Sequence, residues 1–140
     1  MRGQVILTDL AISIALGVTM LFVVQSQFQP VLRSPDQEAF VISEQLISSR
    51  GIPDDWTYEN VVSPGLALRR GDLDPAKLEE IRRMPKERLK RLFNSKYGIT
   101  IMLDGAVVGN SSIGTNNYPF TRYITVSGEP HALGVVLSEE

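Results

Sequence analysis

The sequence contains no cysteine and a single histidine, His131. A chain without thiols forms no disulfide, no thiolate zinc site and no iron–sulfur cluster, and it has no cysteine nucleophile. One histidine also excludes a metal site that draws several imidazole ligands from the same chain. The residue inventory therefore predicts no metal ion and no cofactor.

Catalytic motifs are also missing from the sequence. There is no Ser/His/Asp arrangement with a supporting context, no Walker-type loop and no paired-carboxylate motif. Asp54 and Asp55 are adjacent acids, but the alternating acid spacing of a calcium loop is absent around them. The sequence therefore predicts a protein that is not an enzyme.

Charge is absent from the longest apolar run, which extends from Leu10 to Val24. Only Ser13 and Thr19 are polar within it. A helix from Val5 to Val24 would be about 30 Å long, which matches the hydrocarbon core of a bilayer. Its apolar residues lie all round the helix, so it requires an apolar environment on every side.

This run has three interpretations: a secretory signal peptide, a single membrane span, or a span that later becomes the core of a filament. No A-x-A cleavage pattern follows Val24, which argues against the signal peptide. Arg2 precedes the run and the next basic residue is Arg33, so the positive-inside rule places the N-terminus in the cytoplasm. The prediction is a single-pass protein of the cell membrane with an extracellular head.

The chain as a whole is predicted to form a helical spine followed by a head. Ser34-Pro35-Asp36-Gln37 is typical of a helix start, because Ser34 suits the N-cap and Gln37 the capping-box position. We predict a candidate leader over residues 1–3, a transmembrane or filament-core helix over 4–33, an amphipathic extension over 34–50 and a head domain over 51–140.

The head is predicted to contain short helices and a sheet. Asp74-Pro75 begins a helical region that Pro85 interrupts. Strand patterns follow over 99–103 and 106–108, joined by Asp104-Gly105 as a type I′ turn. After a predicted loop over 109–119, further strand patterns cover 120–126 and 132–137. The predicted fold class is α+β: a long N-terminal hydrophobic helix and a head of short helices with an antiparallel sheet of about four strands.

Seven basic residues lie between Arg82 and Lys96, with Glu87 the one acid among them. An anionic partner is one interpretation, and its candidate binding residues are Arg82, Arg83, Lys86, Lys90 and Arg91. We favour a solvated helix face or a contact with acidic residues of a neighbouring subunit. Nucleic acid is the less favoured partner, because no aromatic residues interleave the cations as in single-strand binders.

Asn110-Ser111-Ser112 is an N-glycosylation sequon. It lies in the predicted loop of a head that the flanking charges place outside the cell. Asn110 is therefore a candidate glycosylation site.

Two stretches resemble one protein family. Arg2-Gly3-Gln4 before an apolar run resembles the class III signal peptides of archaeal type IV pilin-like proteins. The second stretch resembles a block of that family in which Gly-x-Pro-x-x-Trp precedes Gly-Leu and a short helix with lysine. The matching positions are Gly51, Pro53, Trp56, Gly65, Leu66 and Lys77.

The resemblance implies that a prepilin peptidase cleaves between Gly3 and Gln4. It also implies that Asp9, one position later than the family's acid, pairs with a neighbouring subunit during assembly. The alternative is that Asp9 lies at the cytoplasmic interface near the start of the helix, where an acid costs little. The implied assembly residues are Asp9, Leu10, Ile14, Leu21 and Phe22.

The function implied by the resemblance is a structural subunit of a pilus-like filament, a minor pilin or pseudopilin. Its partners would be other pilin subunits, the prepilin peptidase, the pilus-assembly membrane platform and membrane lipid. The alternative is an uncleaved single-pass membrane protein whose extracellular head binds a partner or nucleic acid.

Overall fold

The computed structural model describes residues 9–20, 33–110 and 114–139, with Asn110 described by its backbone alone. The chain divides into two compact units, Met1–Leu32 and Arg33–Glu140. In the first unit, residues 9–20 form a helix, α1, in which every residue is exposed. The second unit is the head, and it contains all the other described elements.

The described residues contain no helix that combines the length and the apolar character needed to cross a bilayer. The predicted long N-terminal hydrophobic helix is therefore wrong. The description of the chain as a transmembrane, cell-surface pilin and its single-pass location in the cell membrane depended on that helix, and both are corrected with it.

Helix α2 covers Pro35–Ser48 and begins with the predicted capping box. The Ser34 side chain accepts a hydrogen bond from the Gln37 N–H at 3.4 Å, and the Gln37 side chain accepts one from the Ser34 N–H at 3.3 Å. These two bonds satisfy N–H groups that a helix start otherwise leaves without partners. The predicted helix start is confirmed.

The sheet of the head has six strands in the order β1-β2-β5-β6-β3-β4. Strands β2 and β5 are parallel, and the other neighbouring pairs are antiparallel. The prediction of about four antiparallel strands is therefore wrong in both strand number and direction. The strands are β1 Ala67–Arg69, β2 Asp72–Leu73, β3 Gly98–Leu103, β4 Ala106–Asn110, β5 Asn117–Val126 and β6 Glu129–Ser138.

Strands β1 and β2 are missing from the prediction because they are too short to show an alternating pattern. The three residues of β1 and the two of β2 flank Gly71, and β2 pairs in parallel with the end of β5. Strands β4 and β5 also extend further than predicted, to Asn110 and back to Asn117, into the predicted loop. The Asp104-Gly105 turn is confirmed, with φ of 50° and 81° at its two residues.

One face of the sheet carries most of the core. Leu133, Val135 and Leu137 of β6 are fully buried, and they lie opposite Leu103, Ile101 and Ile99 of β3. This alternation is what places one face of each strand inside the molecule. On the opposite face Tyr123 of β5 is 90% exposed, so the outer face is open to solvent at this point.

Two short helices pack on the edge of the sheet formed by β3 and β4. Helix α3 spans Pro75–Arg83 and packs on β4, and helix α4 spans Lys86–Leu92 and packs on β3 and β4. Pro85 separates them as predicted, since it lies at the N-cap of α4. Ile81 of α3 and Leu89 of α4 are fully buried in the same apolar cluster as the sheet residues.

Truncation of a central core residue tests this arrangement. We expect Leu133→Ala to lower the free energy of unfolding by about 2–5 kcal/mol, because it removes a fully buried side chain and leaves a cavity. Urea denaturation followed by circular dichroism measures the change. The control is Val62→Ala at a largely exposed position, which we expect to change stability by less than about 0.5 kcal/mol. Equal effects of the two variants would contradict the assigned core.

Candidate assembly and binding surfaces

Helix α1 is the first candidate surface, because it is apolar and exposed along its whole described length. Its large apolar side chains alternate with small residues. Six of these large side chains are each more than half exposed: Leu10, Ile12, Ile14, Leu16, Val18 and Met20. Contiguous apolar surface of this kind marks an interaction site.

The predicted assembly residues fall partly on this helix. Asp9, Leu10 and Ile14 lie on α1 and are exposed. Leu21 and Phe22, and the predicted processing residues Gly3 and Gln4, lie outside the described residues. The backbone of Asn110 ends strand β4, so the predicted glycosylation site is at a strand end instead of in the middle of a loop.

The block that begins Gly51-x-Pro53-x-x-Trp56 forms a hydrogen-bonded cluster just after the end of α2. The buried Trp56 indole donates hydrogen bonds to the carbonyls of Gly65, at 2.9 Å, and Arg50, at 3.1 Å. The Lys77 ammonium, also mostly buried, donates to the same Arg50 carbonyl. Three separate parts of the sequence therefore meet at one point, which we call the Trp56 clasp: residues 50–51, 56, 65 and 77.

Two glycines make the Trp56 clasp possible by allowing close backbone approach. A Cβ at Gly65 would lie 2.3 Å from the Ser49 carbonyl oxygen, and one at Gly51 would lie 2.4 Å from the Trp56 indole nitrogen. Gly51 also has a φ of 87°, which side chains disfavour. The sequence analysis grouped these residues as a motif. Their spacing in the sequence did not predict that Trp56 and the two glycines contact one another.

The basic residues of α3 and α4 form the second candidate surface, the basic ridge, defined as Arg82, Arg83, Lys86, Arg88, Lys90 and Arg91. Some of its charges are already engaged within the head. Arg82 pairs with Glu79 at 2.6 Å and Arg83 with Glu80 at 3.5 Å. Arg88 donates to the Glu59 carbonyl at 2.6 Å, which fixes the loop before β1 to helix α4.

The five predicted anion-binding residues therefore lie on two neighbouring helices, but they are not equivalent. Lys86 and Arg91 are exposed, and neither forms an ion pair within 4 Å in the portions of the chain that the structure describes. Arg91 lines an open depression of about 410 Å³, whose other lining residues are Glu87, Lys90, Asn94 and Ser95. The sequence predicted the cluster, and the helical spacing of Glu80 and Arg83 also predicted that these two side chains pair. The contact of Arg88 with the Glu59 carbonyl was not predicted.

His131 and Asp104 form a contact that sequence reasoning missed. The His131 Nδ1 lies 2.5 Å from Asp104 Oδ2, and the Ala132 N–H donates to Asp104 Oδ1 at 2.8 Å. The Ala132 N–H first, and then the His131 ring, hold the pKa of the Asp104 carboxyl below its ordinary value. The pair joins the β3–β4 turn to the start of β6, so its role is structural.

The described residues provide no group of three or more potential metal ligands. No protein-family model, no curated protein and no solved structure matches this chain. The resemblance to pilin-like proteins therefore stays a prediction that rests on the two sequence stretches alone.

Removing the indole donor tests the Trp56 clasp. We expect Trp56→Phe to lower the free energy of unfolding by about 1–3 kcal/mol, because two carbonyls lose their shared donor inside the protein. Thermal and urea denaturation measure the change. The matched control is Tyr58→Phe, since the Tyr58 hydroxyl bonds the exposed Glu59 side chain. A control that is as destabilised as Trp56→Phe would count against the clasp.

The Asp104 carboxylate predicts a specific pH dependence. A carboxyl whose pKa is lowered in the folded state stabilises the protein above its unfolded-state pKa, and this stabilisation is lost as pH falls through the folded-state pKa. The stability difference between the wild type and Asp104→Asn should therefore shrink as pH falls from about 5 to about 3. Urea denaturation at each pH measures it. Parallel stability curves would contradict the assigned contact.

Proposed function

We propose that this chain is a structural subunit of a pilus-like filament that assembles through its apolar N-terminal helix, with residues 33–139 as the displayed head. The observation that carries the proposal is the exposed apolar surface of α1. Exposed apolar area costs free energy in water, and association with other apolar surfaces recovers it.

The arrangement of side chains on α1 favours a bundle over a simple pair of helices. Leu10, Ile14 and Val18 form one row at four-residue spacing. A second row, Ile12, Leu16 and Met20, starts two residues later and therefore lies on the roughly opposite side of the helix. One partner would cover a single row, so covering both requires neighbours on more than one side.

The head supplies the second element of the proposal. Its core, the capped α2 and the Trp56 clasp hold the described head residues in one compact unit. Displayed heads of this kind suit a structural subunit, since they need a rigid surface and no reaction chemistry. Within the proposal, a prepilin peptidase removes residues 1–3, and Asp9 pairs with a neighbouring subunit as assembly begins.

Assembly of the purified chain tests the proposal. We expect the wild type to form elongated particles by electron microscopy and fast-sedimenting species in the ultracentrifuge. Ile14→Asp should abolish both, because it places a charge in the middle of the apolar rows and a desolvated carboxylate is costly.

The control carries the same chemical change on the head. Val62→Asp alters a side chain that is already largely exposed, and it should assemble like the wild type. Circular dichroism and Trp56 fluorescence report whether each variant keeps a folded head. A wild-type chain that remains monomeric at all concentrations, or an Ile14→Asp variant that assembles normally, would refute the proposal. N-terminal sequencing of the native protein tests the cleavage, with Gln4 as the expected first residue.

A further inference from the structure

Charge is distributed unevenly along the chain. Residues 79–96 contain seven basic and three acidic residues, a net charge of +4. The whole chain has a net charge of −2, so the remaining residues together carry −6. Surfaces of opposite sign on one molecule favour association between copies, because each copy can present its positive side to the negative side of another.

On the positive side, the available groups are Lys86 and Arg91 of helix α4. Arg82 and Arg83 each form an ion pair with an acid of their own helix, Glu79 and Glu80. Lys86 and Arg91 are exposed without an ion pair among the described residues. The helix that carries them is held in place by the fully buried Leu89, so their positions are fixed relative to the head.

On the negative side, Asp54 and Asp55 occupy the turn between Pro53 and Trp56. Both are exposed, and neither forms an ion pair within 4 Å in the described ranges. The Trp56 clasp anchors this turn, since the indole of Trp56 is buried and bonded on two sides. An ordered turn loses little conformational entropy when it binds, which favours its use as a contact.

We propose that Lys86 and Arg91 of one subunit bind the Asp54-Asp55 turn of the next subunit. This inference rests on the proposed filament function and specifies a contact between heads. The two surfaces differ from each other, so the contact is heterologous, and a heterologous contact that repeats from copy to copy builds a helical filament when the rotation between copies does not close a ring. It acts together with the burial of α1.

Nucleic acid fits the same ridge less well. Phe93 is the one aromatic residue between Glu79 and Lys96, and it packs against the core, so it offers no stacking platform for bases. Glu87 also lines the depression between the cations and would repel a phosphate backbone.

Charge reversal on each side tests the contact. The variants are Lys86→Glu/Arg91→Glu and Asp54→Lys/Asp55→Lys, each assayed by sedimentation and electron microscopy at low and high salt. We expect each variant alone to raise the concentration needed for assembly by about tenfold or more, because it places like charges across the contact. An equimolar mixture of the two should recover wild-type assembly, since each reversed surface then meets an opposite charge. Wild-type assembly should weaken as salt rises.

The matched control reverses two other exposed arginines. Arg69→Glu/Arg70→Glu changes the net charge by the same amount on strand β1 and the turn after it, and it should assemble like the wild type. Thermal denaturation verifies that every variant is folded.

The outcomes separate this inference from the proposed function. If the wild type assembles and Lys86→Glu/Arg91→Glu assembles equally well, the contact is refuted while the filament function stands. If the mixture does not recover assembly, the pairing of these two surfaces is refuted. If the wild type binds a labelled oligonucleotide and the ridge variant does not, with assembly unchanged, nucleic acid is the partner and the inference fails. If the wild type never assembles, the filament function itself is refuted.

Discussion

The last turn of α2 is the point on which the rest of the head depends. A helix end leaves carbonyl groups without hydrogen-bond donors. Here the donors come from the chain after the turn at residues 53–56. The N–H groups of Leu66 and Gly71 donate to the carbonyls of Leu46 and Ile47, at 2.9 and 3.0 Å. The same segment begins strand β1 and leads into β2, so capping this helix also fixes one edge of the sheet. The Trp56 clasp adds a second connection, because the Trp56 indole bonds the carbonyls of Arg50, just after α2, and Gly65, just before β1.

This dependence explains why the head can present two charged surfaces in fixed positions. The loop that carries Asp54 and Asp55 is bonded to α4 through Arg88 and to α3 through Glu80, whose carboxylate accepts from the Tyr58 N–H at 2.9 Å. These two hydrogen bonds, between residues 22 and 29 positions apart, therefore connect the loop to both short helices. Their function, in this account, is to keep the surfaces of the head in register with those of neighbouring subunits while α1 supplies the apolar burial.

The sequence predicted those features that depend on neighbouring residues. The capping box at Ser34, the break at Pro85 and the hairpin at Asp104-Gly105 are each determined by a few adjacent side chains, and all three are present. It did not predict β1 and β2, because they are too short to show an alternating pattern. It did not predict the parallel pairing of β2 with β5, because that pairing joins residues about fifty positions apart. The long membrane helix was wrong, since the described residues contain no helix with both the length and the apolar character needed to cross a bilayer. The ion pairs of Arg82 with Glu79 and of Arg83 with Glu80 are local, since each joins residues three positions apart on one helix.

The central claim is that α1 helices of different copies pack against one another, and a spin-label measurement tests it most directly. The chain has no cysteine, and a Cβ at Gly17 would meet nothing within 4 Å, so Gly17→Cys provides one specific labelling site on α1. Axes of packed helices lie about 8–10 Å apart. The account predicts strong spin–spin broadening at this site that disappears when labelled protein is diluted with unlabelled protein. A sharp spectrum at assembly concentrations, unchanged by dilution, would contradict it.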